Sequence, residues 1–318
     1  MLPAALGRAI GKEIAGFPAA QIRDAAQILS QAYRSARIHA ALSPLERAAY
    51  LAVRFPSTFA VADRVWREFA MLIPSHEIRS LLDAGAGPGA ASLAAHARLA
   101  PGVRITQLER DDGWRPIAHS LAKACEIEAS FHSETMTGLG AHERHDVVVA
   151  SYALGELAPH ERAAAIDALW DAAKAALVII EPGTPHGFEV AHKARERVLS
   201  LGAHAAAPCT HNARCPMSAS DWCHSAVRLE RSATHRAAKQ AALGYEDEKF
   251  AYVIMTRAPP PRLSAGRIVR RPIRAKGHVH LDVCEETGLR RQTIPRSNAA
   301  YRLARDATWG DPWPPYDD

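Results

Sequence analysis

The sequence predicts an α/β protein: a doubly wound, mostly parallel sheet with an N-terminal helical region, a cysteine-rich insertion and a small C-terminal β module. Three observations lead there. In Leu81-Leu-Asp83-Ala-Gly85-Ala-Gly87-Pro-Gly89-Ala-Ala-Ser-Leu93 an apolar run ends in an acid, glycines follow at alternate positions and an alanine-rich helical pattern begins at once, which reads as strand, tight turn, helix. His145-Asp-Val-Val-Val-Ala-Ser151-Tyr152 is a nearly continuous apolar run of the kind buried on both faces of a parallel sheet. Between and after these runs, strand patterns alternate with helical ones, and such units join parallel strands by right-handed crossovers.

Taken in order, residues 1–75 read as helical. Ile22, Ala26, Leu29 and Tyr33 fall on one helix face, and Ser43-Pro44-Leu45-Glu46 has the arrangement of a capping box with proline at the first helical position. Another helix is expected after Pro56, with Ser57 as its cap and Val61, Val65, Phe69 and Leu72 as its buried stripe. Arg54, just before it, reads as a residue on a solvated face. The region 76–258 then carries the sheet. Strands are expected to end at Asp83, at Leu108 just before Glu109, around Ile127 to Phe131, at Ser151, and at Ile180 before Glu181-Pro182-Gly183. Helices are expected from Trp114 to Ala124, Pro159 to Lys174, Gly187 to Leu201 and Ser232 to Leu243, with Phe250 to Met255 as a last core strand. The Pro259-Pro260-Pro261 run marks a boundary. Within 259–318, Arg267 to Ile273, His278 to Cys284 and Leu289 to Ile294 read as three short strands, closed by a helix from about Asn298.

Composition narrows the class. With 48% hydrophobic and 23% charged residues the chain is an ordinary soluble globular one, with no apolar run long enough to span a bilayer. Neither a signal peptide nor an Arg- and Ser-rich transit segment is evident at the N-terminus, so a bacterial cytoplasm is the expected location. The net charge of +5 is unevenly spread: 12 Lys and Arg stand against 4 Asp and Glu between Arg257 and Asp306, and 27 against 30 elsewhere. Such asymmetry points either to a polyanionic partner or to a solvated basic face.

The five cysteines are Cys125, Cys209, Cys215, Cys223 and Cys284. An odd number without a secretory signal argues against a disulfide framework. Cys209, Cys215 and Cys223 crowd one proline-flanked segment within about 205–225, and thiolates on loops suit soft metals, so zinc and an iron-sulfur cluster are both candidates with Cys284 as a further ligand. The spacing matches neither a zinc ribbon nor a ferredoxin run. Cys125, on an expected helix, reads as a small core residue.

The spacing Asp83-x-Gly85-x-Gly87-x-Gly89 resembles the glycine loop of class I S-adenosylmethionine (SAM) methyltransferases. Glu109 stands 20 residues beyond Gly89, where nucleoside-binding sheets place an acid against the ribose hydroxyls; an ordinary surface glutamate is the alternative. Ser151-Tyr-Ala-Leu-Gly-Glu-Leu157, Glu181-Pro-Gly-Thr-Pro-His-Gly187, Pro208-Cys209 with Cys215-Pro216, Asp221-Trp-Cys-His224 and Tyr245-Glu-Asp-Glu-Lys-Phe250 are together similar to the mitochondrial small-ribosomal-subunit methyltransferase-like family and its bacterial homologues. That resemblance covers roughly Tyr50 to the C-terminus. It implies a SAM-binding domain, a 4Fe-4S cluster on Cys209, Cys215, Cys223 and Cys284, and association with the small ribosomal subunit and its rRNA.

Under this reading Gly85, Gly87 and Gly89 admit the methionine part of SAM, Asp83 orients its amino group, Glu109 holds the ribose, and Ser151 and Tyr152, with Glu156, border the pocket. No residue stands out as catalytic. The segment after the fourth strand is neither the Asn-Pro-Pro-Tyr that holds an exocyclic amine nor a cysteine nucleophile, which disfavours amine and C5 chemistry. For RNA the candidates are Arg267, Arg270, Arg271, Arg274, Lys276, Arg290, Arg291 and Arg296, interleaved with few aromatics and so suited to phosphate rather than base stacking. A scaffold that binds RNA without methyl transfer shares all these features, and the oligomeric state is not legible.

Overall fold

Apolar stripes at helical spacing organise the N-terminal region of this computed structural model, which describes residues 2–34, 41–141, 143–217, 220–231, 235, 236, 239, 242–261 and 263–316. Helices α1 (Ala4–Ile14), α2 (Ala19–Arg34), α3 (Pro44–Val53) and α4 (Phe55–Leu72) bury Leu6, Ile10, Ile22, Leu29, Leu51, Val61, Val65 and Phe69. The side chain of Tyr33 lies outside the described residues. The capping box forms: Ser43 Oγ accepts from Glu46 N and Glu46 Oε2 accepts from Ser43 N at 2.8 Å. Ser57 is not a cap. Helix α4 begins before it, at Phe55, and the Ser57 hydroxyl, 1% exposed, instead donates to Glu246 at 2.9 Å.

The main sheet follows the expected class. Strands β1 (Ser80–Ala84), β2 (Arg104–Leu108), β3 (Ala129–His132), β4 (His145–Ser151) and β5 (Ala173–Pro182) are parallel, and β8 (Tyr245–Thr256) runs antiparallel to β5. Their order is β3-β2-β1-β4-β5-β8-β6, with β6 (His204–Ala207) at one edge and β7 (Ser225–Glu230) paired to the first half of β8. Helices α5 (Ala90–His96), α6 (Arg115–Ala124), α7 (Arg162–Ala172) and α8 (Pro185–Ser200) make the crossovers. One face of the sheet shares a core with the N-terminal helices, through residues such as Trp66, Val147 and Ile254; the other packs Leu169, Trp170 and Val198 of α7 and α8. Helix α7 is shorter than expected because the chain already extends at Ala173 to pair with His145. The expected helix over 232–243 lies largely outside the described residues.

The basic C-terminal segment forms its own antiparallel sheet: β9 (Gly266–Ile268), β10 (Ile273–Ala275), β11 (His278–Glu285), β12 (Gly288–Pro295) and β13 (Pro312–Trp313), with α9 (Tyr301–Asp306) between β12 and β13 in the chain and packed over β11. What reads in the sequence as one strand from Arg267 to Ile273 is two, β9 and β10, each on β11. Pro272 stands between them and has no N–H for a ladder. No helix among the described residues is long and apolar enough to cross a membrane.

Candidate functional site

The strand order turns between β1 and β4, and at their C-terminal ends opens a cavity of about 300 Å³. Asp83, Gly85, Gly87, Glu109, Ser151 and Tyr152 all line it. This is the crevice in which open α/β sheets bind ligands. The loop is closed from below by Gly85 N and Ala86 N, both donating to Leu108 O. Of the three loop glycines only Gly87 leaves open space where a side chain would stand. Gly89 does not line the cavity; its φ is +86°, and a Cβ there would stand 2.2 Å from Gln107 Nε2, so packing rather than ligand approach requires it.

Glu109 accepts from Gly87 N and from Asp111 N, both at 2.9 Å, which fixes its carboxylate at the rim with lone pairs to spare. Asp83 is 1% exposed; Oδ2 accepts from Ser92 N at 3.0 Å, while Oδ1 has no donor among the described residues. A buried carboxylate oxygen without a donor, on the wall of a cavity, is free to accept from whatever enters that cavity. Tyr152 holds φ +58° at the end of β4, its N donating to Ile180 O at 2.7 Å and its hydroxyl buried without an acceptor among the described residues. That strained turn places the ring in the crevice.

Several wall residues carried no signal that sequence reading used. Tyr50, Arg54 and Thr58, from the N-terminal helices, close one side; Arg54 therefore belongs to the crevice and not to a solvated face, with Glu248 3.8 Å away. Trp114 packs edge-on to Tyr50 with ring centres 5.3 Å apart. Glu181, at the end of β5, is 1% exposed and accepts from Gly155 N at 3.1 Å. The acid that stops an apolar strand beside Pro182-Gly183 was visible in the sequence, but not its placement.

Burial pushes Asp83 up to about 6, against the hydrogen bonds from Ser92, and Glu181 up to about 8, with Glu156 adding to it and the Gly155 N–H and Arg162 opposing it. Both acids bind more protons folded than unfolded, so stability falls as pH rises from about 4 towards 8. A cationic ligand favours the carboxylates and therefore expels protons. A cationic ligand in this crevice should thus bind more tightly between pH 6 and 8, and calorimetry in buffers of different ionisation enthalpy should read proton release; proton uptake would contradict this role for the two acids.

The four cysteines of interest meet in a second place. Cys209, Cys215 and Cys223, on the loop between β6 and β7, and Cys284, on β11, border one cavity of about 40 Å³ together with Arg195, His211 and His224. Each thiol is half-buried. Cys284 is pushed up to about 12 by burial and by Cys209 and Cys215, and Cys223 is raised for the same reasons. Arg195 Nε, His211 Nδ1 and His224 Nε2 are buried without hydrogen-bond partners among the described residues, and Cys284 Sγ lies 3.9 Å from His211 Nε2. Four soft donors around one cavity, ringed by unpartnered nitrogens, are the donor chemistry that suits a soft metal centre. No three of His, Cys, Asp and Glu among the described residues stand close enough to chelate a single ion.

The basic candidates separate. Arg267 is not a surface contact: it is 2% exposed, 2.6 Å from Glu68, and donates to Pro208 O at 2.8 Å and Gly310 O at 2.9 Å. Arg270 is half-buried and paired with Asp221. Arg271, Arg274, Lys276, Arg290, Arg291 and Arg296 are exposed, with Arg274 donating to Arg305 O, Arg291 paired to Asp282 and Arg290 to Glu285.

A family model described as "Mitochondrial small ribosomal subunit Rsm22" matches residues 44–314. The chain is 25% identical over 284 residues to the human "Ribosome assembly protein METTL17, mitochondrial", covering 82% of this chain and 61% of that protein. To the fission yeast (Schizosaccharomyces pombe) "Rsm22-cox11 tandem protein 2, mitochondrial" it is 24% identical over 287 residues, covering 74% of this chain and 38% of that one. The chain thus spans less than two thirds of either relative. Magnesium protoporphyrin IX methyltransferase from Synechocystis PCC 6803, solved with bound SAM, aligns with a TM-score of 0.42 at 15% identity, over 64% of this chain and 80% of that one.

Proposed function

Because the chain belongs to the Rsm22 family of the mitochondrial small ribosomal subunit, we propose that it binds SAM in the glycine-loop crevice, carries a 4Fe-4S cluster, and acts on or assembles the small ribosomal subunit through rRNA contact. The observation that carries the SAM reading is the crevice itself, where Glu109 is pinned at the rim and Asp83 offers a donor-free oxygen. Methyl transfer from a sulfonium is an in-line displacement, so this chain's contribution is to position and to exclude water. Gly87 leaves room for the ligand, Asp83 Oδ1 accepts from its ammonium, Glu109 accepts from its ribose, and Tyr152 and Glu181 face the reacting end.

Cys209, Cys215, Cys223 and Cys284 would hold the cluster. It would supply a cross-link, since with every iron capped by a cysteine no coordination position is left for substrate. That cross-link joins the loop after β6 to β11 and so fixes the basic module, which we assign to 259–318, against the SAM-binding domain of 76–258 and the helices of 1–75. Zinc, the alternative occupant, would require the thiols to draw closer together than they stand among the described residues. The relatives' names place them in mitochondria; for this chain a bacterial cytoplasm is the proposed setting.

Incubating the protein with labelled SAM and immature small subunits tests the enzymatic reading. Label in the rRNA is expected; bound SAM without incorporation would leave an assembly factor that uses the fold as a scaffold, a reading favoured by the human relative's name. RNA contact rests on the exposed cations. Replacing Arg271, Lys276 and Arg296 by alanine should reduce the slope of log affinity against log salt by about 2–3, roughly one per lost phosphate contact. An unchanged slope would remove this face from the interface.

A further inference from the structure

Arg195 sits within α8 with a side chain only 2% exposed, on the wall of the cavity that the four thiols line. A buried guanidinium is costly unless its donors are engaged and its charge is offset. Nη2 donates to His211 O at 2.9 Å and Ala213 O at 2.8 Å, both on the loop between Cys209 and Cys215. Nη1 pairs with Glu196, whose own side chain is 44% exposed. Nε is buried and has no acceptor among the described residues.

The other deeply buried guanidinium near the thiols shows what full engagement looks like. Arg267 spends Nε on Pro208 O and Nη1 on Gly310 O, and Nη2 meets the buried carboxylate of Glu68. Among the described residues Arg195 has no comparably buried anion, and it borders the same cavity as Cys215 and Cys284. An N–H donor and a positive charge beside a thiolate-bound centre stabilise an added electron, because hydrogen bonds to sulfur and local charge set such potentials.

We propose that Arg195 is a positioning residue for the metal centre, holding the Cys209 to Cys215 loop through its Nη2 and donating its Nε–H to a sulfur of the bound cluster, which raises the cluster's reduction potential. This rests on the cluster assignment made above. The test uses the full chain, purified and reconstituted anaerobically, as wild type, Arg195→Met and Arg195→Lys. Iron content is measured first, and the midpoint potential then follows from titration with dithionite, which donates one electron to each oxidised cluster.

Arg195→Met should load iron yet shift the midpoint at least 59 mV more negative, a tenfold change for one electron. Arg195→Lys, which keeps the charge but loses the planar fork, should fall between. A loaded Arg195→Met protein with the wild-type midpoint overturns the proposal. Should that variant fail to fold or load, the lysine variant decides: a lower midpoint supports the proposal and an unmoved one overturns it. Wild type without iron after reconstitution would defeat the cluster reading itself, whereas iron-loaded wild type with an indifferent Arg195 defeats only the arginine.

Discussion

Replacing Arg267 by methionine should lower the free energy of unfolding by about 3–5 kcal/mol, the usual consequence of stranding a buried charge. The stranded group is Glu68 on α4, 1% exposed, which Arg267 contacts at 2.6 Å. Burial pushes that carboxyl up, and Arg267 and Arg64 outweigh it and hold it below the ordinary range. Tyr252 donates to Glu68 at 2.7 Å and Arg64 at 3.0 Å, so the network ties α4 and β8 to β9. Through Pro208 O it also reaches the residue before Cys209. Urea denaturation reads the loss, and the double variant Arg267→Met with Glu68→Gln should recover part of it, because no charge is then left unpaired. A loss below about 1 kcal/mol would show that the network is not load-sharing.

Cys284→Ser should abolish iron binding and with it any broad visible absorbance. The other three thiols lie on one loop and Cys284 alone comes from β11, directly across from Arg267 in the β9 pairing. Metal binding free energy is coupled to folding, so the effect should spread. Hydrogen exchange should speed up across 208–224 and at β11 by tenfold or more, while β1 and β4 keep their protection. Full iron content in Cys284→Ser would exclude it from the ligand set.

The sheet was legible because its signals are local: Asp83 closes an apolar run, Gly87 punctuates a turn, and Val147 to Ala150 can only be buried on both faces. Register with the N-terminal helices was not. The stripe of Val61, Val65 and Phe69 announces which face of α4 is buried, but nothing in it says that Tyr50, Arg54 and Thr58 will wall the crevice. Charge counting failed at Arg267 for a related reason. An arginine in a basic segment looks solvated until its partner is known, and Glu68 lies on a distant helix. Ser57 misled by about one turn, since the reading left Pro56 outside the helix before a serine cap, whereas α4 starts at Phe55 and takes Pro56 as its second residue. For the thiols, spacing alone left zinc and iron-sulfur open, and the family resemblance supplied the full ligand set. The fold independently gathers those four around one cavity.

The most direct test is elemental analysis of the anaerobically purified full chain, with iron, acid-labile sulfide and zinc measured on one sample. About four irons and four sulfides per chain with a broad visible band are expected. A colourless protein holding one zinc, or no metal that survives reconstitution, would contradict it.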